Sequence, residues 1–237
     1  MNRAMVSGSR RSGRSRWGAR RIVRLLYRAI VIALLLVAVL VLAYRFIPPV
    51  STLMLARWLT LETVARDFVY LSAISPALAR AVVSSEDSRF CHHHGVDWGA
   101  LREVIAEAEE DGPARGASTI AMQTARNTFL WPGRSYIRKG LEIPLALTID
   151  AVWSKRRVME VYLNVAEWGD GVFGAEAAAR RHFRKSAREL SHREAALLAA
   201  VLPNPIRRNA GKPSTFVARR ASRIVARMAL ADVSCLR

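Results

Sequence analysis

No acidic side chain precedes Glu62, whereas residues 1–28 contain nine arginines. The formal net charge of the whole chain is +18. A basic segment without internal counter-charges fits a partner that carries negative charge, which is either a nucleic acid or an anionic membrane surface. The lack of acidic residues therefore argues against a positively charged partner for residues 1–28 and leaves these two kinds of partner.

A second absence decides between them, because residues 29–44 contain no charge at all. The run AIVIALLLVAVLVLAY is sixteen residues long and lies between Arg28 and Arg45. At about 1.5 Å per residue it covers roughly 24 Å, and flanking arginines can extend their heads to the membrane surface. The pattern predicts a membrane segment, so a nucleic-acid partner is not expected.

The arginine bias also predicts orientation. Residues 1–28 should form a basic cytoplasmic tail, residues 29–47 a transmembrane anchor, and residues 48–237 a domain on the outer side of the membrane. The alternative is a signal peptide that is cleaved after Val41 and Ala43. The apolar run is longer than the usual hydrophobic region of a signal peptide, which favours the anchor.

Cysteine is scarce, and the usual metal and acyl-transfer motifs are missing. Cys91 and Cys235 are the two cysteines, and the sequence does not decide whether they meet in a disulfide. Three histidines follow Cys91, but neighbours in sequence need not be neighbours in space, so a catalytic thiol is disfavoured. The chain has no CxxC or HExxH zinc pattern. It also lacks SxxK, SxN and KTG, which excludes a penicillin-binding transpeptidase site in this sequence.

No convincing strand ladder or internal repeat is present, and helical periodicity dominates after the anchor. Helix starts are indicated at Ser75-Pro76, Asp97, Ser135 and Ser191, the last as a capping box with Glu194. Gly112-Pro113 should end the second of these helices. Ile224, Val225 and Met228 mark a final helix. These patterns predict a mainly α domain.

Two glutamates stand in unusual polar surroundings. Glu86 lies in AVVSSEDSRFCHHHGVD and Glu142 lies in RSYIRKGLEIP, with GASTIAMQ between them. Two carboxylates in different environments are typical of enzymes that act at the anomeric carbon of a sugar. Glu86 is expected near a helix end with an apolar flank, and both features would raise its pKa towards the working range of a base.

These strings, with KRRVMEVYLN and VFGAEAAARRHF downstream, resemble the peptidoglycan glycosyltransferase family that polymerises lipid II. The resemblance runs from about residue 81 to 205 and is closest to the monofunctional members. It implies a lysozyme-like arrangement of helices behind one N-terminal transmembrane helix. It also implies a single-pass protein of the bacterial inner membrane with a periplasmic catalytic domain. The expected partners are lipid II, the growing glycan strand, membrane lipids and other proteins of cell-wall synthesis.

The resemblance also implies roles for individual residues. Glu86 would be the general base for the acceptor hydroxyl, and Glu142 would help to position the pyrophosphate leaving group. A divalent cation, Mg²⁺ or Mn²⁺, could act with Glu142 through that pyrophosphate, and no organic cofactor is expected. Arg126 and Arg134 would contact the donor pyrophosphate. The further substrate-binding candidates are Asp87, His93, Ser118, Thr119, Gln123, Arg138, Lys139 and Lys155.

Plainer interpretations of these residues remain open at this point. Glu86 and Asp87 could simply terminate a helix. Arg138 and Glu142 are four residues apart, as in an ordinary pair on a helix surface. The sequence departs from the family at Met122, where a glutamine is usual, and at Arg126, where a lysine is usual. A lysozyme-like hydrolase or lytic transglycosylase is the first functional alternative, and an envelope scaffold with a weakened site is the second.

Overall fold

The computed structural model describes residues 13–111, 116–133 and 135–237. The chain divides into two compact units, one that ends at Ala43 and one that covers Tyr44–Arg237.

The described part of the first unit is one long helix, α1, which spans Gly13–Tyr44 and so ends one residue beyond the unit. Its segment Arg20–Tyr44 has a mean hydropathy of 2.9 over its most apolar stretch and is long and apolar enough to cross a membrane. At about 1.5 Å per residue, such a helix exceeds the roughly 30 Å of a bilayer core. Among the described helices this is the one candidate span. The helix begins before residue 29, and the exposed Ile22, Leu25 and Leu26 extend its apolar surface as the sequence predicts.

The second unit is built mainly from nine further helices in the described ranges. They are α2 (Thr52–Leu59), α3 (Pro76–Glu86), α4 (Trp98–Asp111), α5 (Ile120–Phe129), α6 (Tyr136–Val152), α7 (Lys155–Val165), α8 (Ala175–Phe183), α9 (His192–Val201) and α10 (Thr215–Met228). Three single 3₁₀ turns lie at Leu71–Ala73, Ala187–Glu189 and Ser234–Leu236. The prediction of a mainly α domain is confirmed.

Hydroxyl side chains start most of these helices. In six helices the residue before the first turn accepts a hydrogen bond from the backbone N–H three residues later, at Ser51, Thr119, Ser135, Ser154, Ser191 and Ser214. A cap of this kind stabilises a helix by about 1 kcal/mol. The predicted starts at Ser135 and Ser191 are confirmed, and Ser191 with Glu194 forms the expected capping box.

Two other predicted starts are also confirmed. Pro76 is the first residue of α3, where its missing N–H costs nothing. Asp97 caps α4 by accepting hydrogen bonds from the N–H groups of Gly99 and Ala100, each at 3.1 Å. The predicted stop at Gly112-Pro113 lies outside the described residues. The final helix, predicted from Ile224 to Met228, is α10.

The hydrophobic core surrounds α3 and α5. Helix α3 packs against α9 and α10, and α5 packs against α6 and α7. Leu78 and Val82 of α3, Ile120 of α5 and Leu163 of α7 are fully buried. The C-terminal end of α3 and the N-terminal end of α5 both lie inside this packed group. Close packing therefore restricts the movement of the residues at these two ends.

The prediction of no strand pairing is wrong in one place. Three strands, β1 (Ala65–Arg66), β2 (Glu167–Gly169) and β3 (Val172–Phe173), form a small sheet in the order β1-β3-β2. β1 pairs with β3 in parallel, and β2 pairs with β3 in antiparallel register. Strands of two or three residues are too short to show an alternating pattern, so the sequence carries no signal for them.

The turn between β2 and β3 requires glycine at Gly171. Its φ is +68°, and a Cβ there would lie 2.5 Å from the carbonyl oxygen of Thr63. A side chain would therefore push β1 away from β3.

A disulfide closes the second unit. Cys91, in the loop after α3, is bonded to Cys235 in the last 3₁₀ turn. The contact of His92 Nε2 with Asp232 Oδ2 at 3.0 Å joins the same two segments, and a hydrogen bond from Arg156 Nη1 of α7 to Leu236 O at 2.9 Å ties the last turn to α7. Both sulfurs are thus committed to structure, which agrees with the disfavoured catalytic thiol.

We expect the double variant Cys91→Ser/Cys235→Ser to be less stable by about 2–5 kcal/mol, because the bond closes a loop that spans most of the domain. This corresponds to a melting temperature lower by roughly 5–15 °C for the detergent-solubilised protein. A reductant should lower the melting temperature of the parent and leave that of the double variant unchanged. A double variant that melts with the parent would show that the disulfide does not stabilise the domain.

Candidate active site

Glu86 is the last residue of α3, as the sequence suggested. The helix is buried along most of its length, so its end carries the carboxylate into the interior, where the side chain is 12% exposed. Burial raises the pKa of Glu86, while a hydrogen bond from Gln123 and the charges of Arg220 and Arg126 partly oppose the rise. The predicted direction of the pKa shift is confirmed, and loss of hydration is its main cause.

Three side chains contact this carboxylate. Gln123 Nε2 donates to Oε2 of Glu86 at 3.2 Å. On the other oxygen, Oε1, Ser85 Oγ lies at 3.5 Å and Arg220 Nη2 at 3.7 Å. The carboxylate is therefore partly desolvated, held firmly at one oxygen and more loosely at the other.

Asp87 lies inside the wall of the site. It is buried and accepts hydrogen bonds from His93 Nε2 at 2.9 Å and from the N–H of Ile120 at 2.9 Å. Since Ile120 is the first residue of α5, Asp87 joins the end of α3 to the start of α5. Asp87 is thus bonded to the His93 ring and to the α5 backbone, and the contact of both residues with substrate stays a prediction.

Thr119 has a similar internal position. Its hydroxyl donates to the carbonyl oxygen of Gly95 at 2.6 Å and accepts from the N–H of Met122. Gly95 has φ +77°, and a Cβ there would meet the Ala146 carbonyl oxygen at 2.6 Å, so only glycine lets this loop lie against α6. The substrate contact predicted for Thr119 is untested.

Glu142 is more deeply buried than Glu86 and is held by two cations. Its side chain is 2% exposed, with Arg138 Nη1 at 2.7 Å from Oε1 and Lys139 Nζ at 2.8 Å from Oε2. Lys139 Nζ also donates to Ser118 Oγ at 2.7 Å. The pair is therefore not the exposed helix-surface pair considered above, and removal of either partner would leave a buried charge.

Two cavities are lined by some of the predicted residues, whereas Glu142, His93, Lys139 and Lys155 line neither of them. One of about 240 Å³ is lined by Glu86, Ser118, Thr119 and Arg227 among others. The second, of about 420 Å³, is lined by Gln123, Arg126, Arg138, Trp131 and Tyr162 among others. Gln123 links the two, because it lines the second cavity and donates to the carboxylate in the first. Arg134, the other predicted pyrophosphate ligand, lies outside the described residues.

Lys155 supports the loop that carries His93. Its Nζ lies 2.7 Å from Asp150 Oδ1, donates to the carbonyl oxygen of His93 at 2.5 Å, and stands 4.8 Å from the centre of the Phe90 ring. These contacts hold the ammonium group within the protein. Its contact with substrate stays a prediction.

Met122, where the family usually has glutamine, is 1% exposed and belongs to the apolar core. The hydrogen bond to Glu86 comes from the next residue, Gln123. The apolar side chain at 122 therefore leaves that bond in place.

The sequence pattern does not indicate Arg220, and for Tyr162 it predicts packing and structural hydrogen bonding rather than contact with substrate. Arg220 lies on α10, far along the chain from Glu86, and only the packing of α10 against α3 brings them together. Tyr162 is fully buried on α7 and donates its hydroxyl proton to Gln123 Oε1 at 3.2 Å. The arginine-rich pattern of α10 was the only available signal, and it did not indicate which arginine faces the site.

The residues do not form a preformed metal cage. Within the described ranges no group of three or more His, Cys, Asp or Glu is placed to hold a metal ion. Both oxygens of Glu142 are already bonded to Arg138 and Lys139. These residues do not fit direct coordination of Mg²⁺ or Mn²⁺, so any such ion would depend on ligands from the substrate.

Comparison with known proteins identifies the family of this chain. The transglycosylase family model matches residues 54–229. The chain belongs to the transglycosylase family. The match covers both glutamates, α5 and α10, and the expected lysozyme-like helical fold of this family is confirmed.

Several curated relatives are similar over most of their length. A biosynthetic peptidoglycan transglycosylase of Rhodospirillum centenum is 55% identical over 201 residues, which are 84% of this chain and 87% of the relative. Proteins of the same name from Nitrobacter hamburgensis and Brucella suis are 52% and 50% identical, over 92% and 93% of this chain and 97% and 100% of the relatives. The resemblance identified from the sequence motifs is confirmed.

We expect transglycosylase activity to fall on acidification at a higher pH than an ordinary glutamate would require. A carboxylate acts as a base only when it is ionised. Because burial raises the pKa of Glu86, this carboxyl keeps its proton up to a higher pH than an exposed glutamate does. Arg220→Gln removes a positive charge that favours the ionised form, and the acid limb of its pH–rate profile should lie at still higher pH than that of the parent.

The exposed Arg102 on α4 supplies a matched control, because Arg102→Gln makes the same charge change at a residue that lines neither cavity. Its acid limb should coincide with that of the parent. If Arg220→Gln leaves the limb in place or moves it to lower pH, Glu86 is not the group that titrates.

Proposed function

We propose that this transglycosylase polymerises lipid II into β-1,4 glycan strands and releases undecaprenyl diphosphate. The observation that carries the proposal is the largely buried Glu86, held by Gln123, beside a cavity lined by Arg126 and Arg138. A base next to a cluster of cations is what glycosyl transfer from a sugar pyrophosphate requires. The names of the relatives, all peptidoglycan transglycosylases, indicate the same substrate class.

The reaction needs one proton transfer and one displacement. Glu86 removes the proton from the 4-hydroxyl of the acceptor GlcNAc, and the resulting oxygen forms a bond to the anomeric carbon of the donor MurNAc. The bond from that carbon to the pyrophosphate oxygen breaks, and the electron pair leaves with the pyrophosphate. A single displacement inverts the α linkage of the donor to a β linkage, and no glycosyl-enzyme intermediate is formed.

Cations stabilise the charge that develops on the leaving group. Arg126 lines the larger cavity and presents a guanidinium, whose planar fork suits phosphate oxygens. Glu142 acts through its two partners, because it fixes Arg138 and Lys139 by short ion pairs at the same side of α6. In this proposal Glu142 positions the cations that hold the pyrophosphate. A divalent ion, if one takes part, would enter bound to the pyrophosphate of the substrate rather than to a site on the protein.

The same cations disfavour the alternatives. A lysozyme-like hydrolase or lytic transglycosylase shares a buried glutamate but has no pyrophosphate to bind. A scaffold with a weakened site would not need Glu86, Gln123 and the Glu142 ion pairs to be kept together. The sequence contains no transpeptidase motif, so cross-linking is assigned to other cell-wall proteins.

The apolar helix Arg20–Tyr44 suits a single-pass membrane anchor. The proposal adds its direction: the arginine-rich N-terminus stays in the cytoplasm, and the catalytic domain lies in the periplasm, where it meets lipid II and the glycan strand. Membrane lipids and other proteins of cell-wall synthesis are proposed as further partners.

We expect Glu86→Gln to lose lipid II polymerisation by roughly a hundredfold or more while it still binds labelled lipid II, because the amide keeps the shape of the side chain but cannot accept a proton. Arg126→Ala should lose binding as well as turnover, since it removes a cation from the donor cavity. Polymer that lysozyme degrades is the measured product.

Exposed residues of α4 provide the controls. Glu103→Gln and Arg102→Ala make equivalent changes away from both cavities and should polymerise as the parent does. Polymerisation at the parental rate by folded Glu86→Gln would exclude Glu86 as the base, and parental binding by Arg126→Ala would exclude its role in the clamp.

The orientation is tested with alkaline phosphatase, an enzyme that is active only outside the cytoplasm. A fusion after Arg237 should be active, and the membrane-extracted protein should retain residues 1–28 in its intact mass. A mature protein that begins near Tyr44 would instead establish a cleaved signal peptide.

A further inference from the structure

Gln123 is bonded at both ends of its side-chain amide. Its Nε2 donates to Glu86 Oε2, and its Oε1 accepts from the Tyr162 hydroxyl, each at 3.2 Å. An amide whose ends are both used has one preferred orientation. Gln123 lies on α5, Glu86 on α3 and Tyr162 on α7, so three helices meet at this one side chain.

The chemistry of the two partners requires this orientation. An ionised carboxylate only accepts hydrogen bonds, so the NH₂ end of Gln123 must face Glu86. The carbonyl end then faces Tyr162, whose hydroxyl must be the donor. If the amide turned around, its oxygen would face the carboxylate and repel it.

Tyr162 is suited to act as a permanent donor. Burial raises the pKa of its hydroxyl well above the ordinary range, and the negative charge of Glu86 adds to the rise. The hydroxyl therefore keeps its proton at every pH at which the enzyme works. Its ring is fully buried in the core, so its position is set by packing.

We propose that Tyr162 is a positioning residue that fixes the Gln123 amide, so that Gln123 holds Oε2 of Glu86 and Oε1 is the atom that takes the acceptor proton. This inference rests on the proposed function, in which Glu86 is the base. The contacts of Oε1 are longer, with Ser85 at 3.5 Å and Arg220 at 3.7 Å. The firmly held oxygen keeps the carboxylate plane fixed, and the looser one can accept a proton.

The charges around Glu86 set the direction of the expected effect. Arg220 of α10 and Arg126 of α5 favour the ionised form, and the hydrogen bond from Gln123 does so as well. Asp87 is the next residue, and its carboxylate is bonded to His93. Loss of the oriented Gln123 donor would leave the cations in place and remove one interaction that favours the carboxylate.

The test is the pH dependence of kcat/KM for lipid II in Tyr162→Phe, which removes one oxygen and keeps the ring. The acid limb of the variant should lie at higher pH than that of the parent. The loss of kcat/KM relative to the parent should therefore be about three- to tenfold larger at the acidic end of the profile than at the pH optimum. Tyr70→Phe deletes an exposed hydroxyl and should leave the profile unchanged. A Tyr162→Phe protein that melts with the parent and has the parental acid limb would overturn the proposal.

A double-mutant cycle with Gln123→Met shows whether Tyr162 acts through Gln123. The single Gln123→Met change should also move the acid limb upwards, and addition of Tyr162→Phe should move it no further. Gln123 is only half-buried, so this variant remains informative if Tyr162→Phe fails to fold. A parental limb in Gln123→Met, or additive shifts in the double variant, would show that the amide does not link Tyr162 to Glu86.

The outcome is distinct from that of the proposed function. If Glu86→Gln polymerises lipid II normally, the base assignment and this inference both fail. If Glu86→Gln is inactive and Tyr162→Phe keeps the parental acid limb, the base assignment stands and only the role of Tyr162 is lost.

Discussion

The site depends on the hydrogen bonds of the Asp87 carboxylate, which connect the end of α3 to the start of α5. Asp87 follows Glu86 at the end of α3 and accepts the N–H of Ile120 at the start of α5. Through this one buried group, the helix that carries Glu86 and the helix that carries Gln123 keep a constant separation. His93 bonds the same carboxylate, and Lys155 holds the His93 backbone, so these contacts extend to α7. An unpaired buried carboxylate is costly, and each of these bonds therefore stabilises the same geometry.

The two glutamates show how position gives one residue type two roles. Glu86 meets one amide donor and a more distant arginine, so burial dominates and raises its pKa. Each carboxylate oxygen of Glu142 forms an ion pair with a cation of the same helix, one with Arg138 and the other with Lys139. In the proposed mechanism one carboxylate takes a proton, while the other holds two cations in place. This division agrees with the reaction proposed for this protein, in which an acceptor is deprotonated and a pyrophosphate leaves.

Much of the local structure was predictable because its causes are local. Ser135, Ser191 and Asp97 begin helices as expected, since a cap acts over three residues of chain. The buried end of α3 and the raised pKa of Glu86 also followed from a short segment. The small sheet was missed because its strands, such as Val172–Phe173, are too short for a pattern. For Asp87, His93 and Lys155 the motif residues were recognised, but the sequence could not show that they bond to one another.

By itself, the sequence determined the mainly α domain, the apolar N-terminal helix, the family and the two glutamates to which the proposal assigns the chemistry. These depend on composition, on helical periodicity and on motifs of a few residues. Only the tertiary structure decided that Cys91 meets Cys235, that Arg220 faces Glu86 and that Tyr162 bonds Gln123. Each of these contacts joins segments far apart in the chain. Their distances are set by the packing of whole helices against one another, and no local pattern of residues encodes that packing.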